Sequence, residues 1–193
     1  MTRAIFMDRD GTLCEEVGYV NHPERCWLLT RSAEAIRKVN ESGFRAVVVT
    51  NQAGVARGYF EETMIGLVHE RLRRLLAARG ARLDGIYYCP HHPDVGEPPY
   101  RQDCNCRKPR PGLLLSAAKD LGLDLPRCYV IGDTTKDIEM ASRVNATGVL
   151  VLTGYGRGEW EFHRERFHAQ PSHVAEDLLD AVEWVLGREA EER

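Results

Sequence analysis

No apolar run in the 193 residues approaches the roughly 18 to 20 needed to cross a bilayer. No charge of one sign dominates either: 26 Lys and Arg stand against 29 Asp and Glu, a formal charge of −3. A chain so balanced lacks the electrostatic footprint of a nucleic-acid or membrane-surface binder. It has no internal repeat and no low-complexity linker, and its hydrophobic content of 43% excludes wholesale disorder. The opening MTRAIFMDRDG has too short an apolar stretch for a signal-peptide core, and Asp8, Arg9 and Asp10 end it. A cytoplasmic compartment is therefore expected. Six cysteines then need an explanation other than disulfides.

What is present is an alternation of strand-like and helix-like segments. Ala4 to Asp8 is a short apolar run ending in a carboxylate, and Arg45 to Asn51 is a β-branched run suited to a strand buried on both faces. Gly85 to Cys89, Cys128 to Asp133 and Gly148 to Thr153 read as three more strands. Helical patterns fall at Ser32 to Asn40, Glu61 to Arg79, Gly112 to Leu121, Lys136 to Asn145 and Ala175 to Leu186, with Gly43 and Gly80 as stops. The region after Thr153 reads as a Gly-rich loop and a charged segment. Five strands alternating with helices predict one α/β domain over residues 1–193, a parallel sheet covered on both faces. In such sheets ligands bind beyond the carboxyl ends of the strands. Asp8 and Asp10, Thr50 and Asn51, and Asp133 all fall at that edge.

Asp8-Arg9-Asp10-Gly11-Thr12 places two acids before a glycine turn, so both can aim at one point, although Asp-Gly is also ordinary turn chemistry. Asp at the end of an apolar strand is costly to bury unless paired or metal-bound. Gly132 to Asp137 adds Asp133 and Asp137 after another strand. Such acids repel one another without a cation, and oxygen-only ligands point to Mg²⁺. For Asp137 a plain first-turn helix acid is an equal alternative. The Thr50 hydroxyl and neighbouring N–H groups suit a phosphoryl oxygen, and Arg107 and Lys108 can offset phosphate charge. Taken singly, the first is ordinary turn chemistry and the second a solvated basic pair.

Cys89-Pro-His91, twelve residues, then Cys104-Asn-Cys106 offers three thiols and an imidazole. This pattern suits tetrahedral Zn²⁺ of the Cys₃His class, with His92 as an alternative to His91. The loop between contains three prolines and a glycine and cannot bury a core, so a metal staple would explain its order. Four protein ligands make such a site structural. The C-x-C spacing argues against a redox pair. Cys14, Cys26 and Cys128 suggest no function, and His22, His69, His163, His168 and His173 are expected at the surface.

Taken in order, DRDGT, the strand-end Thr50, Lys108 before a helix and GDTTKD resemble the haloacid dehalogenase (HAD) superfamily of phosphotransferases. With GYV at 18–20, TNQAGVARG at 50–58, DGIYYCPHHP at 84–93 and CNCRKPRPG at 104–112, the chain resembles the D-glycero-D-manno-heptose 1,7-bisphosphate 7-phosphatase family, which is related to histidinol-phosphate phosphatases. The resemblance implies a Rossmann-like three-layer sandwich with a parallel sheet, no large cap domain, a zinc loop at 89–106 and a small flap at about 11–30. It implies Asp8 as nucleophile, forming an aspartyl-phosphate, and Asp10 as general acid and base. Thr50 and Lys108 would hold the transferring oxygens. Mg²⁺ would lie on Asp8, the main-chain carbonyl of Asp10, and Asp133. The family spacing selects His91 with Cys89, Cys104 and Cys106 for zinc. Substrate contacts are implied for Glu16, Val17, Gly18, Tyr19, Thr50, Asn51, Gln52, Ala53, Arg107 and Lys108. The substrate would be a small sugar bisphosphate losing its C7 phosphate, and the protein a monomer.

Two positions depart from the family pattern. Thr134 follows Asp133 where the family usually has Lys, with Lys136 two residues on, and Ala53 stands where a hydroxyl residue is common. Histidinol phosphate or another small monoester is the alternative substrate, but the long stretch between His91 and Cys104 favours the heptose branch. A zinc-ribbon-like binding module would need a second cysteine knuckle or a dense basic face, and the chain has neither.

Overall fold

The computed structural model describes residues 2–191. Six strands form one all-parallel sheet: β1 (Ala4–Met7), β2 (Arg45–Asn51), β3 (Gly85–Cys89), β4 (Tyr129–Gly132), β5 (Thr147–Val151) and β6 (His173–Ala175), in the order β3-β2-β1-β4-β5-β6. The helices are α1 (Ser32–Ser42), α2 (Glu62–Ala77), α3 (Gly112–Leu121), α4 (Thr135–Ser142), α5 (Gly156–Phe162) and α6 (Leu178–Glu191). β2, β3 and α3 fall on the expected bounds. The sequence pattern predicts neither the sixth strand nor α5. β6 is three residues long and α5 seven, too short for either pattern to repeat. α5 lies in the region read as loop and charged segment, and β6 ends on Ala175, which the sequence pattern assigns to the start of the last helix, so that α6 begins only at Leu178.

Strand alternation builds the three layers. Ile5 and Met7 join a core with Ile36, Val39, Val68, Leu72, Val182 and Val185, which places α1, α2 and α6 on one face. Ala4 and Phe6 join Val47, Val49, Leu113, Leu114 and Met140 on the other, under α3 and α4. All four residues of β1 are fully buried. Each large side chain so placed contributes roughly 1.5–3 kcal/mol. The central strand is thereby fixed, and the topological switch point lies between its carboxyl end and that of β4. The segment from Asp8 to Arg31 between β1 and α1 carries only a three-residue 3₁₀ turn, Pro23–Arg25. No large cap interrupts the sheet connections among the described residues.

Candidate active site

Asp8 leaves the central strand directly. Its main-chain N–H donates to the Ile131 carbonyl of β4, and one carboxylate oxygen accepts from the Arg9 N–H at 2.7 Å. The other lies 2.7 Å from Lys108 Nζ. Lys108 is buried and spends its three protons on Asp8, on Asp137 at 2.6 Å and on the Val49 carbonyl at 3.2 Å. Burial disfavours its charge, yet Asp137 and Asp8 outweigh that and hold it protonated well above the ordinary lysine range. Asn51 positions the main chain of Lys108: its carbonyl oxygen accepts from the Lys108 N–H at 3.0 Å, and its amide donates back to the Lys108 carbonyl.

Asp137 takes the place of a first-turn helix acid and adds a partner, Lys108, that the sequence does not indicate. It sits in the first turn of α4, where one oxygen accepts from the Thr134 hydroxyl at 2.7 Å and from the Thr134 N–H. Its other oxygen pairs with Lys108. Asp133 differs. It is fully buried, one oxygen accepts from the Tyr155 N–H at 2.9 Å, and Oδ1 has no partner. Leaving such an oxygen unsatisfied costs about 1–3 kcal/mol or more. Donor atoms of Asp8, Asp133 and Asp137 lie within 4.8 Å of one another. Burial, partly offset by Lys108, raises the Asp8 pKa to about 6. Burial, then Asp8 and Asp137, raise Asp133 well above the carboxylate range. The three acids face one nearby ammonium group and have room for a divalent cation. Oxygen-only donors and the orphaned Asp133 Oδ1 fit Mg²⁺.

Glycine is required beside the other Asp133 oxygen, Oδ2. A Cβ on Gly11, which has φ +82°, would lie 2.1 Å from Asp133 Oδ2, and one on Gly154 would lie 2.2 Å from it. The Thr153 hydroxyl donates to the Gly11 carbonyl at 2.6 Å and locks the two loops together.

Asp10 points to a second network. Arg9 is 1% exposed and grips both oxygens of Asp10, at 2.9 and 2.7 Å. Gln52 accepts from Arg9 and donates to Asp10 and to the buried Thr50 hydroxyl, each at 2.9 Å. The amide of Gln52 thus ties the end of β2 to the acid after β1. His69 of α2 closes the network 3.3 Å from Arg9. The expectation of a surface His69 is corrected: it is 8% exposed, because α2 turns it inward among Val68 and Leu72. Burial, then the charges of Arg9 and Arg73, lower its pKa to about 3. No spacing rule marks Arg9 or His69, since their partners come from β1, the loop after β2 and α2.

The flap segment lies over these groups. Glu16 accepts from the Gly18 N–H at 2.6 Å, and Arg25 donates to the Val17 and Tyr19 carbonyls. Tyr19 meets Tyr59 edge-on at 4.8 Å, and Ala53 is buried. Burial raises the pKa of Glu16, with Asp10 and Asp8 adding to it, so the flap senses the acids below.

The cysteine loop gathers as its spacing predicts. Cys89 Sγ lies 3.5 Å from Cys104 Sγ and 3.7 Å from His91 Nδ1, and Cys106 Sγ lies 3.3 Å from both Cys104 Sγ and His91 Nδ1. Tetrahedral ligands about 2.3 Å from an ion stand roughly 3.8 Å apart, so the four atoms are slightly contracted around the right geometry. A hydrogen bond from Cys89 lowers the Cys106 pKa to about 5, while Cys89 is pushed up. His92 faces away, 3.3 Å from Arg57. The Arg107 guanidinium donates to the His91 carbonyl, coupling the cluster to the segment that carries Lys108.

The chain is similar in sequence and fold to proteins of known description. A protein from Pasteurella multocida described as D-glycero-beta-D-manno-heptose-1,7-bisphosphate 7-phosphatase is 45% identical, over 97% of this chain and 98% of its own. One from Thermosynechococcus vestitus, described as D-glycero-D-manno-heptose-1,7-bisphosphate 7-phosphatase, is 40% identical over 94% of each chain. The chain belongs to the heptose-1,7-bisphosphate 7-phosphatase family. The HAD-hydrolase-like family model matches residues 105–181. The crystal structure of D,D-heptose 1,7-bisphosphate phosphatase from B. bronchiseptica, complexed with magnesium and phosphate, matches with a TM-score of 0.83 and 32% identity, over 97% of this chain and 99% of that one. This member of the family is thus a HAD-type phosphoric monoester hydrolase. No helix among its described residues is long and apolar enough to cross a membrane.

Proposed function

We propose that the protein removes the C7 phosphate of D-glycero-D-manno-heptose 1,7-bisphosphate. The chemistry rests on one observation, the Asp8 carboxylate held 2.7 Å from Lys108 beside the unpartnered Asp133 Oδ1. The substrate rests on kinship with the relatives above. Asp8 attacks phosphorus, an Asp8–phosphorus bond forms, and the bond from phosphorus to the sugar oxygen breaks. Asp10 gives that oxygen its proton, then takes one from the water that hydrolyses the aspartyl-phosphate. Arg9 and Gln52 hold Asp10 ready at the edge of the site, and Asp10 must leave part of this network to reach the leaving oxygen. Lys108 and the Thr50 hydroxyl hold the equatorial oxygens as charge spreads over them. Asp8, the Asp10 carbonyl and Asp133 would hold Mg²⁺, which neutralises phosphate charge when bound. Asp137 is committed to Lys108 and Thr134 and acts as a positioning residue.

The flap stretch Glu16 to Tyr19, the Thr50 to Ala53 stretch and Arg107 would contact the rest of the substrate. With Thr134 in the usual lysine position, Lys136 is the cation available to assist Arg107 on the distal phosphate. Cys89, His91, Cys104 and Cys106 would hold a structural Zn²⁺ that stiffens the loop delivering Arg107 and Lys108.

A substrate panel tests this function. It compares both anomers of the heptose bisphosphate with histidinol phosphate and fructose 1,6-bisphosphate. The heptose compound is expected to show the highest kcat/KM, and a large preference for histidinol phosphate would overturn the assignment.

A further inference from the structure

The loop after β5 enters the site although no motif marks it. Its main chain is wedged in place. Thr153 bonds to Gly11, Gly154 packs against both Gly11 and Asp133, and the Tyr155 N–H donates to Asp133. Tyr155 therefore starts within one hydrogen bond of a buried acid, yet its own residue is 55% exposed. Tyr19 and Tyr59 are exposed by 39% and 55%. Tyr19 reaches over the loop after β2, where a Cβ on Gly54 would approach its ring to 3.1 Å. Large rings left open beside otherwise buried polar groups mark a surface that receives something.

We propose that Tyr155, with Tyr19 and Tyr59, forms an aromatic wall at the site mouth that packs against the C–H faces of a polyhydroxylated sugar phosphate, making Tyr155 a specificity-determining residue. This rests on the phosphatase function proposed above. Tyrosine suits such a wall, because its ring offers a large rigid face and its hydroxyl tolerates water. Electrostatics agree on the direction of the side chain. Glu16 first, then burial, Asp133 and Tyr19 raise the Tyr155 pKa, so its hydroxyl lies within the field of the flap and the acids. The wall would select for the body of the substrate, while the acids and Lys108 handle the phosphoryl group whatever it is attached to.

The test uses the full chain with Mg²⁺ and compares Tyr155→Ala and Tyr155→Phe with the parent. The readout is kcat/KM on the best sugar phosphate of the panel, divided by kcat/KM on glycerol 2-phosphate. Tyr155→Ala is expected to lower that ratio about tenfold, through KM rather than kcat, with Tyr155→Phe within about twofold of the parent. The inhibition constant of inorganic phosphate should move far less than the sugar KM. Phe162→Ala, an exposed ring at the far end of α5, is the control and should leave the ratio alone. An unchanged ratio in Tyr155→Ala overturns the wall, and so does a Tyr155→Phe loss equal to that of Ala. A parent that ignores heptose bisphosphate but favours another sugar phosphate would sink the substrate assignment alone, because the ratio is read on whichever sugar phosphate it prefers.

Discussion

The acid cluster at the strand ends and the cysteine loop could each hold a metal ion, but they are assembled by opposite means. The acids come from β1, the end of β4 and α4, and the lysine that balances them comes from the segment before α3. Only the parallel order of the sheet brings them together. The four soft ligands lie within eighteen residues, and their own spacing gathers them. The first site is also left electrostatically unfinished, with Asp133 Oδ1 unpartnered and Asp8 raised to about 6 by burial. The second site is nearly closed upon itself. A site that exchanges substrate must leave a position open, whereas four protein ligands fill a tetrahedral shell.

The largest effect should follow from removing the nucleophile. Asp8→Asn is expected to lower turnover at least about a thousandfold while leaving the fold intact. The melting temperature measured in chelator should hold or rise, because one of three crowded acids is gone. Parent-like activity in this variant would reject covalent catalysis by Asp8. It would also end the contrast drawn above, since the strand-end acids would then be merely structural.

The contrast accounts for what could be read from the chain. The clustering of Cys89, His91, Cys104 and Cys106 is legible, because its signal is local: ligand type, spacing and prolines. Asp8, Thr50 and Asp133 are legible as three points on one sheet edge once the strands are read as parallel, whereas Lys108 is marked only by its motif after the cysteine loop. The pairing of Asp137 with Lys108 is not legible, since a first-turn acid reads the same whether or not a buried ammonium faces it. Arg9 was hidden between two acids that drew attention to themselves, and His69 showed no partner in sequence because its partner lies sixty residues away. Tyr155 adjoins a seven-residue helix, and the three-residue strand that follows is shorter still, so neither pattern repeats. Short elements are fixed by tertiary packing rather than by periodicity.

An intermediate effect should come from opening the staple. Cys106→Ser is expected to take zinc from about one per chain to none, measured by metal analysis of protein purified without chelator. Activity should fall on the order of 10- to 100-fold, because Arg107 is bonded to His91 and Lys108 follows it, so loosening the loop displaces both. The melting temperature should drop as well, unlike that of Asp8→Asn. A zinc-free variant with full kcat/KM would separate the loop from the chemistry and reduce it to an ornament of the surface.

The smallest effect concerns pH, and it decides which region makes the fold sensitive to acid. His69 is held neutral in the folded chain down to about pH 3, by burial and by the neighbouring charges of Arg9 and Arg73. In the unfolded chain it takes a proton near pH 6.5. Protonation therefore favours unfolding: stability is complete above about pH 7 and falls as the pH drops below 6.5. By pH 5 the loss from this residue is about 2 kcal/mol. His69→Gln keeps an acceptor for Arg9 but removes the titration, so its stability should decline less between pH 7 and pH 5 in denaturant melts. If parent and variant lose stability in parallel, the acid response lies elsewhere. The thiolates of the cysteine loop, which must give up any bound ion as they protonate, would then be the acid-labile half of the molecule.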